Sequence, residues 1–192
     1  MKKLALLAFV PLAGCISFGA KPPPELLTIS SAQMLPTGQT QSSAAAATIT
    51  VQVPAVSQAL ATTRVPVQSS DIAIAYVAKA QWVEVPARLF ARLLSDTVAA
   101  KTGRVVLSTA QSLSDPGARL SGELRNFGVD ATSNEAVVTY DAALIRQSAT
   151  VVEKRRFEAR VPLGVVEPHA VGVAINQAAN QVAGEVADWV GK

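Results

Sequence analysis

The sequence predicts an α+β domain in two layers, a largely antiparallel sheet with two main helices packed on one face. Two stretches, 84–101 and 168–190, repeat apolar residues at three- and four-residue steps, the period of an amphipathic helix. Three long stretches between them, 119–130, 135–148 and 150–163, alternate apolar and polar residues across short gaps, as an antiparallel meander does. Shorter alternating runs precede the first helix. Strands, a helix, a meander and a closing helix therefore follow one another along the chain.

An export segment comes first. Lys2 and Lys3 lead into ten apolar residues, Leu4 to Ala13, and the segment closes on Leu12-Ala13-Gly14-Cys15. A charged start, a short apolar run and small residues at a cleavage point make a secretory signal. Ten apolar residues fall short of the roughly 20 that span a bilayer. Small residues leading into a cysteine form a lipobox, so residues 1–14 read as a lipoprotein signal peptide and Cys15 as the lipidated mature N-terminus. Each buried CH2 contributes about 0.8 kcal/mol, so two or three acyl chains hold durably where one holds reversibly. Residues 15–24 are the lipidated Cys and a tether stiffened by Pro22 to Pro24. Residues 25–192 read as a single periplasmic α+β domain.

Composition narrows the function. Of 192 residues, 17 are Lys or Arg and 14 are Asp or Glu. Lys2 and Lys3 leave with the signal, so the mature chain keeps a net charge of only +1. The sequence pI of 9.2 overstates its basic character, and no basic stripe exists to hold nucleic acid. Cys15 is the only cysteine and is claimed by lipid, so packing must stabilise the fold without disulfides. No run beyond the signal is long enough for a transmembrane helix.

In chain order, 25–30 (ELLTIS) reads as a first strand and 36–47 as a small-residue loop. Residues 48–53 (TITVQV) alternate, with Ile49, Val51 and Val53 on the buried face. Pro54 ends that strand, and one helical turn follows within 55–61. Residues 64–68 and 71–76 form short strands about a Ser69-Ser70 turn, with Pro66 suited to an edge. The helix over 84–101 begins with Pro86 near its first position and ends before Gly103, the natural left-handed cap. A short strand covers 104–108, and Asp115-Pro116-Gly117 marks a turn. Within 119–130 the apolar parity changes from Leu120 and Leu124 to Phe127 and Val129, which predicts a bulge near Asn126. The last helix starts at Pro168 and carries Val171, Ile175, Ala178, Val182, Val186 and Val190 on its apolar side.

Residues able to carry chemistry are few. His169 is the only histidine; at a helix start, without ligand-type neighbours, it reads as a surface residue rather than a metal ligand. The chain has no G-x-S-x-G and no Gly-rich phosphate loop. No catalytic residue, cofactor or metal is expected. The Glu153-Lys154-Arg155-Arg156 run reads as the solvated side of a strand. Tyr76, Trp82 and Trp189 read as core or rim aromatics, and their functional reading is contact with another subunit.

The order of these features resembles the ABC-type transport auxiliary lipoproteins, the outer-membrane partners of MCE-domain lipid transporters, including the paraquat-inducible protein C type. The lipobox at Cys15, Glu25 to Ile29, Ile49 to Pro54, Arg64 to Tyr76 and Gln81 to Pro86 carry the resemblance. Trp82 and Pro86 match the W-x-x-x-P that opens the family's first helix. Where the family's early strand has an aromatic, this chain has Leu26 and Leu27. The resemblance implies a non-catalytic domain held at the periplasmic face of the outer membrane. It implies docking to an MCE-domain protein of an ABC-type transporter, in a ring of identical subunits along which lipid passes. Ile16 after Cys15, in place of Asp, fits outer-membrane sorting. The alternative readings are an outer-membrane assembly lipoprotein of a secretion or envelope-polymer export system, and a periplasmic hydrolase gathering His169 with an acid and a serine.

Overall fold

The computed structural model describes residues 25–115 and 117–192. Its elements are β1 (Thr48–Val51), β2 (Ala55–Val56), β3 (Arg64–Ser70), β4 (Ala73–Gln81), α1 (Pro86–Thr102), β5 (Val105–Leu107), β6 (Ala118–Asp130), β7 (Glu135–Ile145), β8 (Val152–Pro162) and α2 (Pro168–Val190). The two-layer α+β class is as expected. Both helix spans agree closely with the apolar periodicity, and β6, β7 and β8 form the meander.

β6 organises the sheet. One of its edges pairs with β7 along the whole strand, from Arg119 opposite Ile145 to Asp130 opposite Glu135. The other edge is shared by β1, β2 and β3, which lie end to end and parallel to it. β5 flanks β1 in parallel and β4 flanks β3 antiparallel. The long pairings are thus antiparallel, while the joins on the far side of β6 are parallel. The register shift falls between Leu124 and Asn126, where the parity change placed it. It keeps Leu120, Leu124, Phe127 and Val129 all facing the helices.

Several strand expectations are corrected. Residues 25–30 form no strand; Leu27 alone makes a bridge, to Trp82. Thr48 and Thr50 are buried as well as Ile49, because β1 lies between β5 and β6 and its short polar side chains are covered too; Val53, past the strand, is exposed. Pro66 lies on an interior strand, since β3 is flanked by both β4 and β6, and a register shift beside it accommodates the missing donor. The hairpin strands run to Ser70 and from Ala73, so the turn is at Asp71 and Ile72 rather than at the serines. β7 ends at Ile145 and β8 begins at Val152, which leaves a longer connection than expected.

Both helices cover the same face of the sheet. α1 has Pro86 at its first position and Gly103 as its cap at φ 67°, a conformation that favours glycine. Its Phe90, Leu94 and Val98 are fully buried. Lys101 Nζ donates to Gly184 O at 3.1 Å and pairs with Asp188 at 2.6 Å, so the two C-termini lie together and the helices run in parallel. At the end of α2, Arg146 from the β7–β8 connection donates to the carbonyls of Trp189 and Val190. The aromatic rings form a chain through the core. Trp82 and Phe127 have centroids 5.4 Å apart, Phe90 lies 6.3 Å from Phe127, and Tyr140 lies 5.3 Å from Phe90. Tyr140 Oη donates to Ser121 O at 2.8 Å, and burial pushes its phenol well above its ordinary pKa.

The other face of the sheet carries ion pairs. Asp141 accepts from Arg156 and Arg125 on the strands either side. Arg160 binds Glu158, Asp130 and Glu135. Thr139, buried on this face, donates to Glu158 and accepts from Asn126. The Arg156 hydrogen bonds, helped by Arg125, hold the Asp141 carboxyl well below the usual carboxylate range.

Two outcomes follow. Trp82→Ala, read by urea unfolding, should cost about 3–5 kcal/mol for the lost aromatic volume. Trp82→Phe should cost clearly less, because Trp82 Nε1 has no acceptor among the described residues. Asp141→Asn should cost about 1 kcal/mol at neutral pH, the scale of a partly exposed charge network. A carboxylate whose folded pKa is depressed contributes fully above its unfolded value of about 3.9 and loses that contribution as pH falls toward the folded value. The stability gap between parent and variant should therefore close below about pH 4 in acid-titrated unfolding curves.

Candidate interaction surface

The segment that brings the chain into the domain is built into the helix layer. Leu27 N donates to Gln81 O and Val83 N donates to Leu27 O, which fixes Leu27 at the end of β4. The Leu27 side chain rests on α2 at Gly172, where an added Cβ would stand 2.9 Å from Leu27 Cδ2. Asn176 and Asn180, one turn apart on α2, then act as partners for an extended backbone. Ser30 N donates to Asn176 Oδ1 at 2.9 Å, Ala32 N to Asn180 Oδ1 at 2.7 Å, and Asn180 Nδ2 to Ser30 O at 2.9 Å. Ser31 Oγ lies 3.1 Å from Thr97 Oγ1 of α1. Residues 27–32 thus form a strap across both helices. Sequence reasoning missed it; the signal was the asparagine pair at i and i+4, Asn176 and Asn180, on one side of α2.

The aromatics singled out from sequence divide. Trp82 is 1% exposed and Trp189 9%, the latter packed 5.6 Å from Phe157. Both pack in the core of this chain. Tyr76 is half-buried on β4, with Arg64 Cζ 3.6 Å from its ring centroid. Cys15 lies outside the described residues.

His169 is exposed on the first turn of α2. Among the described residues no three His, Cys, Asp or Glu side chains gather as a metal would require, and no helix is long and apolar enough to cross a membrane. A cavity of about 250 Å³ opens on the ion-paired face, lined by Leu60, Pro66, Ile74, Gly128, Arg125 and Arg160. Both arginines are already committed to carboxylates, so the cavity presents apolar walls and neutralised charge rather than a catalytic constellation.

The sheet's two long edges contrast. Among the described residues β8 pairs with β7 alone, and Glu153, Lys154, Arg155, Arg156, Glu158 and Arg160 put charge along it. Such charges discourage another strand from adding. Among the described strands β4 pairs with β3 alone, and it carries Lys79 as its one charge. Ile72 at the hairpin tip is 98% exposed and Ile74 is half exposed. The β3–β4 hairpin thus exposes apolar side chains where the β8 edge exposes charge.

Comparison with known proteins places this architecture. A Xanthomonas campestris protein of family model DUF330 shares 18% identity at a TM-score of 0.69, over 86% of this chain and 94% of that one. A protein described only as uncharacterised matches at 15% identity and TM-score 0.65, over 86% and 99%. The PelC dodecamer of Paraburkholderia phytofirmans matches at 12% identity and TM-score 0.46, over 72% and 86%, a level at which nothing carries over. No curated protein sequence matches. These likenesses share the fold. The model of one family spans residues 28–187, from the strap to the last turns of α2, and the chain belongs to that family, the ABC-type transport auxiliary lipoprotein component.

Proposed function

We propose that this chain is a lipid-anchored auxiliary subunit of an MCE/ABC-type intermembrane lipid transport system. It works at the periplasmic face of the outer membrane by docking and structure rather than by catalysis. The observation that carries this reading is the family match over residues 28–187, joined by the lipobox that ends at Cys15. Acyl chains on Cys15 hold the domain to the membrane, and the strap of residues 27–32 ties the tether to both helices. The partner is the transporter's MCE-domain protein, met by a ring of identical copies. The half-buried Tyr76 suits such contacts, since aromatic side chains are where protein interfaces concentrate their energy. An exposed His169 gives no support to a hydrolase.

Globomycin should block processing of the precursor, and Cys15→Ser should move the protein from the membrane to the soluble periplasmic fraction. Membrane retention of that variant would refute the anchor. Affinity capture of the lipidated protein from cross-linked cells should recover an MCE-domain protein. Capture of secretin or polysaccharide-export proteins in its place would assign the chain to an envelope assembly system.

A further inference from the structure

The topology collects one group of exposed apolar side chains at one end of the domain. β3 runs parallel to β6 with Gln68 opposite Asp130, so the β3–β4 turn lies beside the β6–β7 turn. Glu135 is opposite Pro162, so the loop from β8 to α2 leaves from the same end. The last turn of α2 is held at the far end by Arg146, which puts its first turn here as well. This end therefore carries Ile72 and Ile74 on the hairpin, Val165 and Val166 on the loop, and Val173 on α2, each 44% or more exposed. They stand on separate projections with Asp71 and Glu167 beside them, not on one flat face of the kind that stable protein interfaces use.

The incoming chain arrives at the same end, since Leu27 rests on Gly172 in the first turns of α2. Ten peptide steps lead from Cys15 to Glu25. At no more than about 3.3–3.6 Å each, they hold Glu25 within about 35 Å of an anchored Cys15. A tether this short keeps the local concentration of lipid near the millimolar range or above, so shallow contacts too weak for free binding become populated.

We infer that this end of the domain is seated on the lipid surface, with Ile72, Val166 and their neighbours dipping into the boundary between headgroups and acyl chains. The inference rests on the proposed anchor at Cys15. Asp71 and Glu167 make a zwitterionic surface a better seat than an anionic one, which attracts Lys and Arg.

The test uses the full acylated chain in phosphatidylethanolamine–phosphatidylcholine vesicles, with and without brominated acyl chains. Once Cys15 is acylated, an introduced cysteine is the one free thiol. Ile72→Cys, Val166→Cys and, at the opposite end, Val151→Cys are exposed positions where substitution leaves the fold intact. Each is labelled with a polarity-sensitive dye. Bromolipid should quench the dye at Ile72→Cys and Val166→Cys roughly twofold or more over Val151→Cys, as for groups ~5–10 Å deep in the boundary. Equal quenching at all three positions, with Cys15 acylated and the vesicles carrying the protein, overturns the seating and leaves the anchor standing. A dye at Ile72→Cys that shifts to the blue with protein density but ignores bromolipid marks a contact between copies and overturns it too. A chain that mass spectrometry finds unacylated and that fails to sediment with vesicles overturns the anchor, and the seating with it.

Discussion

The fold depends on the use of both backbone edges of β6. A buried strand cannot leave its N–H and C=O groups unpaired, and β6 spends one whole edge on β7. Its other edge must be satisfied by segments from elsewhere in the chain. Three short strands, β1, β2 and β3, do this in series. They share that one edge between them, so each is shorter than the meander strands. The register shift after Leu124 is part of the same constraint, because without it Phe127 and Val129 would turn away from the helices.

The helix layer is matched to this sheet by size. α2 is rich in Ala, and Ala178, Ala179, Ala183 and Ala187 are fully buried with Val182 and Val186. Small side chains let it lie close to β7, β8 and α1 together. α1 supplies the bulk, with Phe90, Leu89 and Leu94 against Phe127 and Tyr140. The strap closes the groove between the helices through amide side chains, so the polar backbone of residues 27–32 crosses apolar helices with several of its groups satisfied. That arrangement fixes where the tether meets the domain, which links the fold to the proposed anchoring.

Charge and apolar surface are segregated in a way that bears on function. The uncovered sheet face answers most of its arginines with carboxylates, and the β8 edge is charged along its length. The exposed isoleucines sit on the β3–β4 hairpin and the exposed valines of the β8–α2 loop lie at the same end. Charge neutralised over a broad face suits the docking role proposed for this domain.

The sequence by itself determined both helices, the meander, the bulge near Asn126 and the family pattern around Trp82 and Pro86. These depend on local periodicity and on residues whose backbone preferences act over one or two turns. The tertiary structure alone decided that 25–30 is a strap instead of a strand and that Pro66 lies inside the sheet. It also decided that Trp82 and Trp189 are core residues while Ile72 projects. Those outcomes depend on which distant segment takes the vacant edge of β6 and on where Asn176 and Asn180 point. The reason is physical: a strand's neighbours and a side chain's burial are set by contacts between residues far apart in the chain, and local pattern does not encode them.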